Sequence, residues 1–436
     1  MKRILFKSGT LVDPSSGRVW QADLLVEEGR IKAIDSGLVP PRGTEVVNAG
    51  GCLIFPGCVD VHVHLREPGF EHKETIATGV RAAVRGGFVA VAAMPNTRPV
   101  ADSAAVVGYV RARGEEEGLA QVFPVGALSR GSEGKEMAPL GEMRQAGAVA
   151  FSDDGRWLAD AQLMRRVMEY ARMLKAPVIS HCEEPALTKG GVMNEGITAT
   201  VLGLRGMPAA AEEIAVARDI ILAEFTGCHL HVAHISTAGA VRLVREARSR
   251  GLKVTAEVTP HHFTLTEEAV QGYNTNAKVN PPLRTRADVE ALREALADGT
   301  IDIIATDHAP HAREEKEVEF DQAPFGISGL ETAIALVFTE LVHKGVLDLP
   351  QAAAKLSLNP RRLLGLPGGV LAEGEPAELT LIDPEREEEV DPATFASKGR
   401  NTPFAGWRLK GWPVGVVVRG KWIPVRPLPG EGLREI

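Results

Sequence analysis

Four histidines and three aspartates stand where apolar runs give way to polar residues. His62 and His64 lie in Asp60-Val-His-Val-His-Leu-Arg66, Asp153 and Asp154 in Phe151-Ser-Asp-Asp-Gly155, and His181 in Ser180-His-Cys182. His234 follows in Ala233-His-Ile235 and Asp307 in Thr306-Asp-His308. Imidazole nitrogen and carboxylate oxygen together suit Zn2+, Mn2+ or a similar borderline metal, with water keeping an open position. The His-x-His spacing has a physical reason. Successive strand residues point to opposite faces, so His62 and His64 share one side while Val61 and Val63 turn to the other. One histidine at a strand end is more often structural than a ligand. The recurrence of such residues at one strand end after another points to a metal site.

Something must bring these ends together. Apolar strand-length runs alternate with helical patterns through the middle of the chain, as in βαβ units around a parallel sheet. Eight strand candidates begin near Cys58, Val89, Val122, Val149, Pro177, Leu230, Lys253 and Ile301. Helical stretches follow most of them, among them 161–174, 209–225, 238–250 and 330–343. This predicts an α/β fold, a (β/α)8 TIM barrel over residues 55–366, with catalytic groups at the C-terminal strand ends. A doubly wound open sheet is the alternative, but no Gly-x-Gly-x-x-Gly follows the first strand. Residues 1–54 and 367–436 read instead as short strands between turn signals. They predict one small β-sandwich domain formed by the N- and C-terminal segments, since chain ends tend to lie together.

Bulk properties narrow the function. The formal net charge of −8 argues against general nucleic-acid binding and means that an anionic substrate needs a locally placed cation. Four scattered cysteines without a Cys-x-x-Cys pair fit a reducing, cytoplasmic setting. Apolar runs are strand-sized, so no membrane span is expected, and the N-terminus reads as a strand rather than a signal peptide. His72 and His343 are expected on helices, and His229 and His231, of opposite parity to His234, are expected to face the helices. His261 and His262 read as polar support rather than ligands. The charged run Arg313–Glu319 reads as a solvated loop whose place after strand eight suits a mobile lid.

The stretch Asp60-Val-His-Val-His-Leu-Arg-Glu-Pro-Gly69 together with Ala305-Thr-Asp-His-Ala-Pro-His311 resembles the bacterial type I dihydroorotase family of the amidohydrolase superfamily. His181-Cys-Glu-Glu184, Val232-Ala-His-Ile-Ser236 and Pro324-Phe-Gly326 fit the same pattern, and the likeness spans essentially the whole chain. It implies a zinc enzyme. His62, His64 and Asp307 would hold one ion and His181 and His234 a second. The residues leave Asp153 and Asp154 equal as bridge between the ions, and the resemblance favours Asp154. Related hydantoinases and dihydropyrimidinases bridge with a carboxylated lysine, which strand four lacks here. Asp307 would also be the catalytic general base and acid. Arg66, two residues past His64 on the same face of an extended segment and suited to bidentate carboxylate recognition, would select the substrate with His64, Asn96 and His311, while Asn280, Phe325 and Gly326 meet the ring amides.

The implied reaction is reversible hydrolysis of (S)-dihydroorotate to N-carbamoyl-L-aspartate, run toward ring closure in pyrimidine biosynthesis. The resemblance also brings two assemblies into view, a homodimer and a complex with aspartate carbamoyltransferase. Two rival readings share the framework. One is another cyclic amidase such as an allantoinase, whose uncharged substrate has no use for Arg66. The other is an inactive dihydroorotase-like scaffold, which would have lost ligand positions retained here.

Overall fold

A computed structural model describes residues 3–430. Eight parallel strands run in sequence order around a barrel: Cys58–Val63, Phe88–Ala93, Gln121–Gly126, Ala150–Phe151, Val178–Ser180, Leu230–Val232, Val254–Val258 and Ile303–Ile304. The ring closes where His64 donates its backbone N–H to the carbonyl of His308 at 2.9 Å, beside a parallel bridge between Val63 and His308. Strands covered on both faces read as continuous apolar runs, and Cys58–Val63 and Phe88–Ala93 are buried at every position. The outer helices begin at side-chain caps that satisfy their free N–H groups. Thr75 caps Ile76–Arg85, Asp160 caps Ala161–Met173 and Thr237 caps Ala238–Ser249. No helix among the described residues is long and apolar enough to cross a membrane.

Both chain ends join one further eight-stranded sheet. Leu53–Pro56 lies at its middle, parallel to Arg3–Asp13 on one side and antiparallel to Leu379–Glu389 on the other. Lys421–Pro424 lies four strand steps from Arg3–Asp13, about 19 Å across a flat sheet at ~4.8 Å per step. Yet the rings of Phe6 and Trp422 meet edge to face at 5.3 Å. The sheet therefore curls until its Lys421–Pro424 end faces Arg3–Asp13, and Ile4, Phe6, Leu24, Ile54, Leu379 and Val417 share one apolar core. It docks on the barrel through Gly57, whose N–H meets the Glu378 carbonyl at 2.7 Å, and through Thr380, which accepts from Cys58 N–H at 3.0 Å.

Several local expectations give way. His72 sits in a turn, not a helix. The helical stretch beginning at Leu330 starts at Ala333 and widens into a π-turn at Phe338–Val342, with His343 just past its end. The charged run after strand eight is mostly exposed, as expected of a solvated segment, but it forms a short helix, Arg313–Lys316, and Lys316 is buried. Its ammonium donates to the carbonyls of Thr275 and Pro324 at 3.1 and 2.7 Å, which ties the loop down.

Candidate active site

The strand ends place His62, His64, Asp154, His181, His234 and Asp307 in one buried cluster. Asp154 belongs to two groups of mutually close donors, with His62 and His64 on one side and His181 and His234 on the other. Its Oδ1 lies 3.2 Å from His62 Nε2, 3.6 Å from His234 Nε2 and 3.7 Å from His181 Nδ1. Asp307 Oδ1 lies 2.9 Å from His64 Nε2 and 3.6 Å from His62 Nε2.

Outer partners decide what these inner atoms carry. Glu257 Oε1 is 2.6 Å from His62 Nδ1, Asn96 Oδ1 is 2.8 Å from His64 Nδ1, and Glu183 Oε2 is 3.0 Å from His181 Nε2. Carboxylate and amide oxygens only accept, so each outer nitrogen is an N–H, and a neutral ring then leaves its inner nitrogen with a lone pair. Three imidazole lone pairs thus converge on carboxylate oxygens, and His62 Nε2 and Asp154 Oδ1 are buried without any hydrogen-bond partner. Such a hollow fits a divalent cation. Burial opposes charge on His62, but Asp154 and Glu257 hold its pKa well above the ordinary value. Burial likewise opposes charge on Asp154, and the surrounding histidines still pull its pKa well below the usual carboxylate range.

Asp153 points elsewhere. Its carboxylate accepts from the backbone N–H groups of Leu128 and Ser129 at 2.8 and 3.2 Å and from the Ser129 hydroxyl. The two adjacent aspartates therefore separate cleanly in experiment. Asp154→Asn is expected to lose bound metal, while Asp153→Asn keeps metal stoichiometry and loses about 1–3 kcal/mol of stability. Metal analysis paired with thermal melting reads both.

A cavity of about 180 Å³ opens beside the cluster, lined in part by Arg66, Asn96, Asn280, Phe325 and Gly326. That is below the ~300–1,000 Å³ typical of drug-sized ligands, so it suits one small ring. Arg66 does not reach it by strand alternation. The strand ends at Val63 and Arg66 has φ 62°, so a turn, not an extended segment, carries its guanidinium beside Pro310 O (3.2 Å) and His311 Nε2 (3.5 Å). His234 and Asp307 also have positive φ, at 29° and 45°. Backbone conformations this uncommon persist where the surroundings over-determine them, as at functional sites. Asn280 Nδ2 donates to Glu183 Oε2 at 2.6 Å, which leaves its carbonyl oxygen as the atom available to a ligand. His311 stands just behind the wall, its Nε2 2.8 Å from Phe325 O and its Nδ1 3.4 Å from Lys73 Nζ.

Gly326 shows how closely that wall is fitted. At φ +142°, an added Cβ would lie 2.7 Å from Ala309 O and 3.0 Å from His311 Nε2. Gly326→Ala is expected to displace the backbone at a cost of roughly 1–3 kcal/mol. A lower melting temperature and a raised KM are its readouts.

The sequence reading missed Glu257, Glu183, Lys73 and Asp60. Asp60 joins strand one to the end of strand eight by accepting from Thr306 N–H (3.2 Å) and Oγ1 (2.6 Å), which fixes the turn into Asp307. A charged residue inside an otherwise apolar barrel strand was the available signal for both Asp60 and Glu257. His231 is a correction. It is fully buried and bonds Glu257, so it faces the barrel interior and not the helices. His261 and His262 are buried after strand seven, and His262 is fully used by Thr259 Oγ1 and Pro281 O.

Known proteins agree with this architecture. The Dihydro-orotase-like family matches residues 51–240. The dihydroorotase of Pelotomaculum thermopropionicum is 59% identical over 419 residues, covering 96% of this chain and 98% of the relative. That of Geobacter sp. strain M21 is 51% identical over 418 residues, with 96% and 98% covered. Among solved structures, the L-hydantoinase (dihydropyrimidinase) of Arthrobacter aurescens superposes with a TM-score of 0.87 at 26% identity, covering 99% of this chain and 98% of that one. The D-hydantoinase of Thermus sp. gives 0.82 at 26%, covering 98% and 97%. The chain belongs to the dihydroorotase family, whose barrel is of the amidohydrolase type.

Proposed function

We propose that this protein is a zinc-dependent dihydroorotase that interconverts (S)-dihydroorotate and N-carbamoyl-L-aspartate. The observation that carries the reading is a lone-pair-lined cluster with a single arginine beside it on a small-ring cavity. His62, His64 and Asp307 would hold one ion, His181 and His234 a second, with Asp154 between them. Metal held there would supply a water whose pKa is lowered toward ~7 and Lewis acidity for a carbonyl oxygen.

The remaining work belongs to side chains. Arg66 pairs with the substrate carboxylate, with Asn96 and His311 at the same end. Asn280 accepts a ring N–H, and the backbone at Phe325 and Gly326 meets the other amide face. Asp307 takes the proton of the attacking water and passes it to the departing ring nitrogen. Its pKa supports the assignment. Burial raises it, but the surrounding histidines, His64 nearest at 2.9 Å, lower it to about 2, so it begins ionised. Ring closure is the same path reversed.

Stripping metal with a chelator is expected to abolish turnover, and zinc to restore it with about two ions per chain. The reconstituted protein is then assayed side by side against dihydroorotate, hydantoin, dihydrouracil and allantoin. Preference for an uncharged ring would sink the dihydroorotase reading.

A further inference from the structure

Beneath the metal cluster the barrel interior carries a second polar system that the chemistry above leaves unused. Glu257, on the seventh strand, is wholly buried. Its Oε1 takes His62 Nδ1 at 2.6 Å and the backbone N–H of His234 at 3.2 Å, while its Oε2 takes His231 Nε2 at 3.0 Å. His231 Nδ1 lies 2.8 Å from Thr255 Oγ1, and that hydroxyl lies 3.0 Å from His229 Nε2. A line of hydrogen bonds therefore runs from half-buried His229 through the core to a candidate metal ligand.

Stability does not call for it. An ionised carboxylate in a barrel core is costly unless its lone pairs are used, and apolar groups of equal size would serve packing as well or better. What the carboxylate does supply is direction. As an acceptor it compels His62 Nδ1 and His231 Nε2 to be N–H groups. His62 is then left with its Nε2 lone pair facing Asp154. The same carboxylate anchors the main chain of His234 at its positive φ, so one side chain steadies a residue on each side of Asp154.

We infer that Glu257, backed by His231, is a positioning residue that fixes the tautomer and ring orientation of His62 and so sets the affinity of the site for metal. The inference rests on the proposal that His62 holds metal. It extends that proposal to a pair of residues that touch neither metal nor substrate.

The test is zinc affinity, measured by competition with a chromophoric chelator, together with the visible spectrum of the cobalt-substituted protein. A glutamine at 257 can accept at one oxygen only and must turn its NH2 toward one of the two imidazoles. Glu257→Gln is therefore expected to weaken zinc by roughly 10–100-fold, to alter the cobalt spectrum and to lower kcat more than it raises KM. His231→Asn gives a smaller loss in the same direction and serves where Glu257→Gln does not fold. His62→Ala separates the two layers of the claim. Zinc binding unchanged in His62→Ala overturns the metal reading itself. Zinc lost in His62→Ala but held within twofold in folded Glu257→Gln, or in His231→Asn if that is the variant that folds, overturns the positioning role alone.

Discussion

Asp307→Asn is expected to lower kcat by roughly 10³-fold, within the 10²–10⁴ range for a positioned general base and acid. The substitution keeps the shape of the side chain and removes its ability to hold a proton. The native carboxylate is buried, 2.9 Å from His64 Nε2, and faces the cavity that would hold the ring. It is also a candidate metal ligand, so kinetics need metal analysis beside them. Loss of rate with metal retained assigns the proton transfer to Asp307. A fall of less than about tenfold with metal in place would move that task to another group. The effect must appear in ring opening and ring closure alike, because one residue serves both directions.

Arg66→Ala should change which substrate is preferred. Removing one partner of a buried hydrogen-bonded charge pair costs roughly 2–5 kcal/mol, so kcat/KM for dihydroorotate falls by roughly 30-fold to several thousandfold. Turnover of dihydrouracil, which has no carboxylate, stays within a few-fold, and the ratio of the two is the measurement. Arg66→Lys restores only part of the loss, since an ammonium is a point charge and cannot match both carboxylate oxygens. The chain is acidic overall, yet Lys73 and the buried Lys316 stand with Arg66 around His311 and hold its pKa low, burial being the first cause. Lys73 is itself paired with Glu315 at 2.8 Å, so among the residues lining the cavity Arg66 is the cation an anion would meet. Equal losses for charged and uncharged rings would show that Arg66 only supports the fold.

Residue type and strand parity made much of the site legible. His62 and His64, two apart at the end of strand one, both reach the cluster, although the strand ends at Val63 and its ladder shifts register between Asp60 and Val63. The other ligand candidates follow apolar runs that do form barrel strands. The argument fails where regular strand ends. Parity placed His231 opposite His234, but the ladder stops at Val232 and His234 has φ 29°, so both turn inward. Arg66 does line the cavity, but a turn at positive φ brings it there where sequence spacing expects extended backbone. Strands four and eight are only two residues long as hydrogen-bonded ladder, although their apolar runs continue into buried loops. Lys316 looked solvated because the carbonyls that hold it, at Thr275 and Pro324, belong to loops whose approach no local pattern encodes. Glu257 was legible in principle as an acid within an apolar strand, but its partners lie on strands one and six.

The curled terminal sheet bears on how the protein is made. Leu53–Pro56 leaves the ribosome early, immediately before the strand that carries His62, yet it pairs with Leu379–Glu389. Cys58 and Thr380, which bond across this junction, are 322 positions apart. At ~5–20 residues per second, tens of seconds of translation separate the two. Throughout that interval a buried-type strand edge next to the catalytic barrel has no partner, and open apolar edges invite pairing with other chains. The terminal sheet therefore cannot close around its core until Leu379–Glu389 has been synthesised, long after the first barrel strands.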